Sequence, residues 1–159
     1  MDADFSHPPE MLPAFLDGLA KADLSIGSRY IPGGSVDSNW PTWRRGLSAF
    51  GNWYARTILG LPLKDCTGAF RVWHRDALNA IPLDRIRSNG YSFLIEMAYL
   101  AHRMGFTFFE VPIYFADRQY GFSKMSFKIQ REAAVRVWLM RLEYRDVKKK
   151  APGLVNNRV

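Results

Sequence analysis

Residues 107–124 read TFFEVPIYFADRQYGFSK. The first eleven are the strongest strand in the chain, rich in aromatic and β-branched residues. Pro112 lacks an N–H to donate, so it marks an edge or a bulge in that strand. A loop, DRQYGFSK, follows directly. Arg118, Ser123 and Lys124 put cationic and hydroxyl donors on a glycine-containing loop, which suits either an anion-binding lid or a solvated basic surface.

Helix and strand patterns alternate on either side of this segment. Residues 8–22 read as a helix whose face carries Met11, Leu12, Phe15, Leu16 and Leu19, with prolines and Glu10 in its first turn. DLSIGSRY reads as a short strand, and IPGGSVDSN as a loop by composition. TWRRGLSAFGNWYARTILG reads as a helix ending at Gly60. KDCTGAFRVWHRDAL reads as a turn, a short strand (FRVW) and a helix start. GYSFLIEMAYLAHRMG reads as a helix stopping at Gly105. A long basic helix runs from Met125 to about Lys150, with a tail to Val159. This alternation predicts an α/β fold.

The chain has 159 residues, enough for one domain with a core. A net charge of +7 and a pI near 9.8 point to an anionic partner. A nucleic-acid reading lacks any recognised binding motif. The single cysteine, Cys66, excludes an internal disulfide. No apolar run reaches the ~18–20 residues that span a bilayer. No signal peptide is expected, because Asp2 and Asp4 stand where a basic region would be.

The chain opens MDADFSHPPE. In an extended segment residues i and i+2 point the same way, so Asp2 and Asp4 can face one Mg²⁺ or Mn²⁺ and share it with phosphates. The plain alternative is an acidic terminus beside the helix at Pro8. In GSRY, Arg29 can fork onto a phosphate or simply begin a loop. In DCTGAFR, Thr67-Gly68 allows close backbone approach, at a ligand wall or in an ordinary turn. His7, His74 and His102 lack the spacing of a zinc site, and His102 is expected on a helix face near solvent. In the last helix, Phe127, Ile129, Ala134, Val135, Trp138, Leu139 and Leu142 are apolar among six or more basic residues. That suits either an anionic membrane surface or a core-packed helix with a solvated face.

The order of these signals is more specific than any one of them. D-A-D-x-S-H, GSRY, W-x-x-x-R at Trp40 to Arg44, DCTGAFR, NGYSFLIEM and E-V-P-I-x-F-x-D-R-x-x-G-x-S-K together resemble the family 2 glycosyltransferases. Among these the chain is most similar to the polyprenol (dolichol) phosphate mannose synthases, from Asp2 to about Leu142. The resemblance implies part of a nucleotide-diphospho-sugar transferase (GT-A) fold, its C-terminal half, with a mixed sheet flanked by helices. It divides the chain into a catalytic part at 1–125, a basic helix that can face a membrane at 126–150, and a tail at 151–159.

The implied reaction moves mannose from GDP-mannose to a polyprenyl or dolichyl phosphate with inversion. By the same resemblance Asp2 and Asp4 hold the metal and donor diphosphate, with Asp4 counted as catalytic. Arg29 and Arg44 lie at the acceptor phosphate. Arg118 and Lys124 close over donor and acceptor phosphates, and Tyr91 and Glu96 help wall the sugar. The place of action is the cytoplasmic face of a membrane, peripherally bound. A phosphate monoester is largely dianionic at neutral pH and needs charge neutralisation more than a base, which fits a site rich in Arg and poor in His.

Two positions depart from the family pattern: Ser6 stands where a glutamine is common, and Ala49 where an arginine is common. The family also has roughly half a catalytic domain before D-x-D, including the strand that carries it. The chain is therefore expected to be the C-terminal part of a longer enzyme, with little or no activity by itself. The alternatives are glucosyl or aminosugar transfer to a polyprenyl phosphate, and a non-catalytic phosphate- or lipid-binding remnant.

Overall fold

The computed structural model describes residues 7–116 and 127–147. The element order is α1 (Leu12–Leu19), β1 (Leu24–Ser28), β2 (Ser35–Val36), α2 (Thr42–Leu59), β3 (Arg71–Trp73), α3 (Arg75–Ala80), α4 (Gly90–Met104), β4 (Phe108–Pro112), β5 (Tyr114–Phe115) and α5 (Phe127–Glu143). Short 3-10 turns at Pro9–Met11 and Leu83–Arg85 precede α1 and α4. The fold is α/β, as the alternation predicts, with a mixed sheet between helices, as the resemblance implies.

β1 is the centre of a three-stranded sheet ordered β3-β1-β4. It runs antiparallel to β3, pairing Leu24 with Trp73, and parallel to β4, pairing Leu24 with Phe108 and Ser28 with Pro112. All five of its residues are buried. Its two faces differ in size because side chains alternate across a strand. Leu24 and Ile26 pack on Leu63 and on Ala98 of α4. Ser25 and Gly27 face α1, and their smallness lets that helix come close. A Cβ on Gly18 of α1 would meet Ser25 Oγ at 2.3 Å, and one on Gly27 would meet Phe15 Cζ at 3.1 Å. Asp23 ties the strand starts together: its Oδ2 accepts from the Thr107 N–H and hydroxyl, each at 2.8 Å.

The close approach at Gly18 explains a difference from the expected face of α1. Phe15 and Gly18 are buried, while Leu12 and Leu16 point outward at 38% and 59% exposure. A second difference lies at 31–39. Ser35 and Val36 pair in parallel with Tyr114 and Phe115 as a two-stranded sheet, where composition predicts loop. Their partner strand is remote in sequence, so no local pattern announces them. Pro112 ends β4 at the edge of the three-stranded sheet, in line with its missing donor.

α2 and α4 both end on left-handed glycines, Gly60 at φ 66° and Gly105 at φ 91°, which close their last turns without a Cβ penalty. The largest core lies between α2, α4 and α5, where Ala55, Leu59, Leu100, Met104, Val137, Met140 and Tyr144 meet. α5 therefore turns Val137 and Met140 inward, and Tyr144, just past its end, is buried with them. Val135, Trp138, Leu139 and Leu142, expected as its apolar face, are all at least 40% exposed. The helix is core-packed and still shows an apolar outer side.

Candidate functional site at the ends of β1 and β5

Arg29 directly follows β1, where the strand leaves the sheet. Its backbone N–H donates to Asp65 Oδ2 at 3.1 Å, its Nε to the same oxygen at 2.6 Å, and its Nη2 to Asp65 Oδ1 at 2.8 Å. Nη2 also donates to Thr67 Oγ1 at 2.8 Å. The Arg29 side chain is only 8% exposed and the Asp65 side chain is fully buried. Burial opposes charge on both groups, but the bidentate pairing outweighs it. The Asp65 pKa is held below the usual carboxylate range, and that of Arg29 is raised.

Three other elements hold the turn that presents Asp65. Glu110 of β4 accepts from the Lys64 and Asp65 N–H groups at 2.9 and 3.1 Å. Asn52, buried in α2, accepts from the Cys66 N–H at 2.8 Å and donates to Thr67 Oγ1 at 3.0 Å. Gly68 lets the turn lie against β1, since a Cβ there would sit 2.8 Å from the Gly27 carbonyl oxygen. The close approach allowed by Thr67-Gly68 is thus to the central strand. Arg71 donates to the carbonyls of Gly68, Leu94 and Cys66, each at 2.7 Å. Burial lowers its pKa to about 10, so it is a cation at neutral pH.

Arg44 sits in the first turn of α2 with its guanidinium stacked 3.7 Å from the centre of the Trp40 ring. Trp40 meets the Phe115 ring edge-on at 5.8 Å, and the Arg29 guanidinium lies 5.4 Å from that same ring. Arg29 and Arg44, far apart in sequence, are therefore joined through two aromatic rings. His7 is buried and packs on Phe70 and Phe115, with ring centres 5.1 and 5.4 Å away. Phe115 collects contacts from three segments that the sequence motifs single out.

Asp2, Asp4, Arg118, Ser123 and Lys124 lie outside the described residues. Among the described residues no group of three or more His, Cys, Asp and Glu side chains could hold a metal ion. Asp2 and Asp4, the expected metal ligands, are not among those residues.

Tyr91, 39% exposed at the start of α4, is near enough to Arg29 to act on its charge. Glu96 is engaged elsewhere. It is fully buried and accepts from the Ser88 N–H at 2.8 Å, the Arg87 N–H at 3.3 Å, Arg136 Nη2 at 2.8 Å and the Tyr144 hydroxyl. This carboxylate fastens α5 to α4 and the turn before it. His102 is half-buried, its ring 6.4 Å from that of Phe108.

The sequence reading did not single out Asp65, Asn52 or Glu110. Asn52 and Glu110 each left a signal: an Asn in the middle of a helix and a Glu in the most apolar strand both need a partner.

No family model matches the chain. Among curated proteins, the chain is 49% identical over 137 residues to an undecaprenyl-phosphate mannosyltransferase of Micrococcus luteus, covering 86% of this chain and 56% of that protein. It is 47% identical over 138 residues to a polyprenol monophosphomannose synthase of Mycolicibacterium smegmatis, covering 86% of this chain and 52% of that protein. The resemblance read from the motifs is met along most of the chain, which spans about half the length of the curated relatives it matches.

Proposed function

We propose that this chain, a sequence relative of polyprenol-phosphate mannose synthases, forms the acceptor side of a glycosyltransferase site of GT-A type. The reaction is transfer of mannose from GDP-mannose to a polyprenyl phosphate at the cytoplasmic face of a membrane. The observation that carries this reading is the pairing of Arg29 and Arg44 through Phe115 and Trp40, beside the segments that lead to the D-x-D motif and to the 117–124 loop.

The acceptor phosphate brings its own nucleophilic oxygen, so the site needs no strong base. Its dianion must approach an anionic donor, and the two arginines offset that repulsion while holding the oxygen in line with the anomeric carbon. Asp65 fixes the plane of the Arg29 fork before the acceptor arrives. Asp2 and Asp4 would hold Mg²⁺ or Mn²⁺, which would supply charge neutralisation to the departing diphosphate. Arg118 and Lys124 bring further positive charge from the loop. The anomeric centre inverts because one displacement occurs from the face opposite the leaving group.

The test is incorporation of labelled mannose into polyprenyl phosphate by the protein translated from the whole reading frame that contains these residues. Metal-dependent transfer from GDP-mannose is expected, with loss in Arg44→Ala. Transfer from UDP-glucose in preference to GDP-mannose would overturn the choice of donor, and absence of any transfer would overturn the reaction.

A further inference from the structure

Asp65 fixes only one edge of the Arg29 guanidinium. Nε and Nη2 donate to Asp65, and Nη2 also to Thr67, whereas Nη1 makes no hydrogen bond among the described residues. The faces of the group are left to aromatic rings. The Tyr30 ring centre lies 5.3 Å from Arg29 Cζ and the Phe115 ring centre 5.4 Å from it. Arg44 rests on Trp40, 3.7 Å from the ring centre. Trp40 is 6% exposed and meets the Phe115 ring edge-on, 5.8 Å away at an angle of 80°. Phe115 therefore reaches one arginine directly and the other through a single ring.

The backbone around Phe115 runs to the same two places. Phe115 is half-buried and pairs with Val36 across the β2–β5 ladder. The Asp37 N–H donates to the Phe115 carbonyl at 3.0 Å, and the Asp37 carbonyl accepts from the Trp40 N–H at 3.1 Å. That route leads into α2 and Arg44. Ile113, between β4 and β5, donates its N–H to the Ser28 carbonyl at 3.1 Å and accepts from the Ser35 N–H at 3.0 Å. That route leads to the end of β1 and Arg29. A ladder of two residue pairs is weak by itself, so the rings packed on Phe115 hold it in place. Buried His7 is one of them, 5.4 Å away at an angle of 71°.

We propose that Phe115 is a positioning residue for the acceptor: its ring keeps Arg29 and the Trp40–Arg44 stack in one relative setting, so that both cations meet the same phosphate. This deepens the functional reading and rests on it for the identity of the acceptor. Two guanidinium groups share one anion only while their forks converge, and a shift of about 1 Å is enough to lose that fit. Leucine fills much of the ring's volume without its flat, electron-rich face.

The test uses the protein translated from the whole reading frame that contains these residues, with farnesyl phosphate as the probe. Titration calorimetry reads its Kd, and labelled mannose reads transfer to it. Phe115→Leu is expected to weaken farnesyl phosphate binding by about tenfold and to lower the acceptor's kcat/KM by a similar factor, with the KM for GDP-mannose unchanged. Phe115→Tyr keeps the ring and should recover most of that loss. Arg44→Ala should lower binding less in the Phe115→Leu background than in the parent, because the two side chains act as a unit. Should Phe115→Leu fail to fold, Trp40→Phe, which shrinks the ring between Phe115 and Arg44, carries the same expectations. Parent-like binding and kcat/KM in the folded variant, or additive losses in the double variant, would overturn the proposal. A parent that binds farnesyl phosphate but transfers no mannose refutes the reaction, and the Kd values still decide the role of Phe115. A parent that binds no farnesyl phosphate overturns both.

Discussion

The Asp65 carboxylate accepts from Arg29 three times, through the backbone N–H, Nε and Nη2, across thirty-six residues of sequence. The pair decides where Arg29 points, and both members are nearly shut off from water. Removing one partner leaves a buried charge uncompensated. Asp65→Asn is expected to destabilise the fold by about 3–5 kcal/mol, read by chemical denaturation. Arg29→Met together with Asp65→Leu should recover much of that loss, because no lone charge remains. Additive losses in the double variant would show that the pair is not one unit.

The same pair sets a pH dependence with a definite sign. The folded-state pKa of Asp65 is depressed, so its contribution is fully present above the ordinary carboxylate range. It disappears as pH falls through the lowered value. Arg29 is raised and stays charged throughout the working range. Stability should therefore fall on the acid side only, and Asp65→Asn should flatten part of that slope in denaturation curves taken between about pH 2 and pH 6.

The Arg44 guanidinium lies 3.7 Å over the Trp40 ring centre, and a lysine ammonium does not reproduce a planar guanidinium's contact with an aromatic face. Arg44→Ala and Arg44→Lys are both expected to lower mannosyl transfer by about tenfold to a hundredfold. The loss should fall on the acceptor's kcat/KM, with the donor KM unchanged. A change in donor KM alone would remove Arg44 from the acceptor phosphate.

Glu96 fastens α5 through Arg136 and Tyr144. Glu96→Gln should cost about 2–3 kcal/mol, the scale of hydrogen bonds to a charged group. Hydrogen exchange should show faster exchange in α5 and in residues 87–88 than in β1. Uniform acceleration across the molecule would contradict a local fastening role.

Gly68 and Gly51 make a matched pair. A Cβ at Gly68 meets a backbone oxygen of the central strand at 2.8 Å, whereas one at Gly51 meets nothing within 4 Å. Gly68→Ala should destabilise by about 1–3 kcal/mol, and Gly51→Ala, inside α2, should stabilise by about 0.5–1 kcal/mol. Thermal melts of the two variants check both signs.

Cys66 is fully buried, and burial first, with the adjacent Asp65 carboxylate, pushes its pKa up to about 12. Its thiol should be inert to Ellman's reagent near pH 8 in the folded chain and should react at the ordinary rate in denaturant. Fast reaction under native conditions would mean that the 65–68 turn opens readily.

Local pattern was enough for much of this protein. The helical period placed α2 and α4, and Gly60 and Gly105 marked their ends, because a left-handed closing residue favours glycine whatever surrounds it. The order of short motifs identified the relatives, since order is a property of the chain itself. Tertiary structure decided what each surface does. α1 turns Phe15 and Gly18 inward because Gly18 lets it come close to Ser25 and Gly27 leaves room for the Phe15 ring. The pairing of β2 with β5 needs a partner nearly eighty residues away, which no window of sequence contains. The apolar residues of α5 were legible, but their direction was not. Met140 and Tyr144 were taken up by α2 and α4, which left Trp138 outside beside Phe50 and Trp53. Hydrophobicity is carried by each residue alone, whereas burial depends on which other element arrives to cover it.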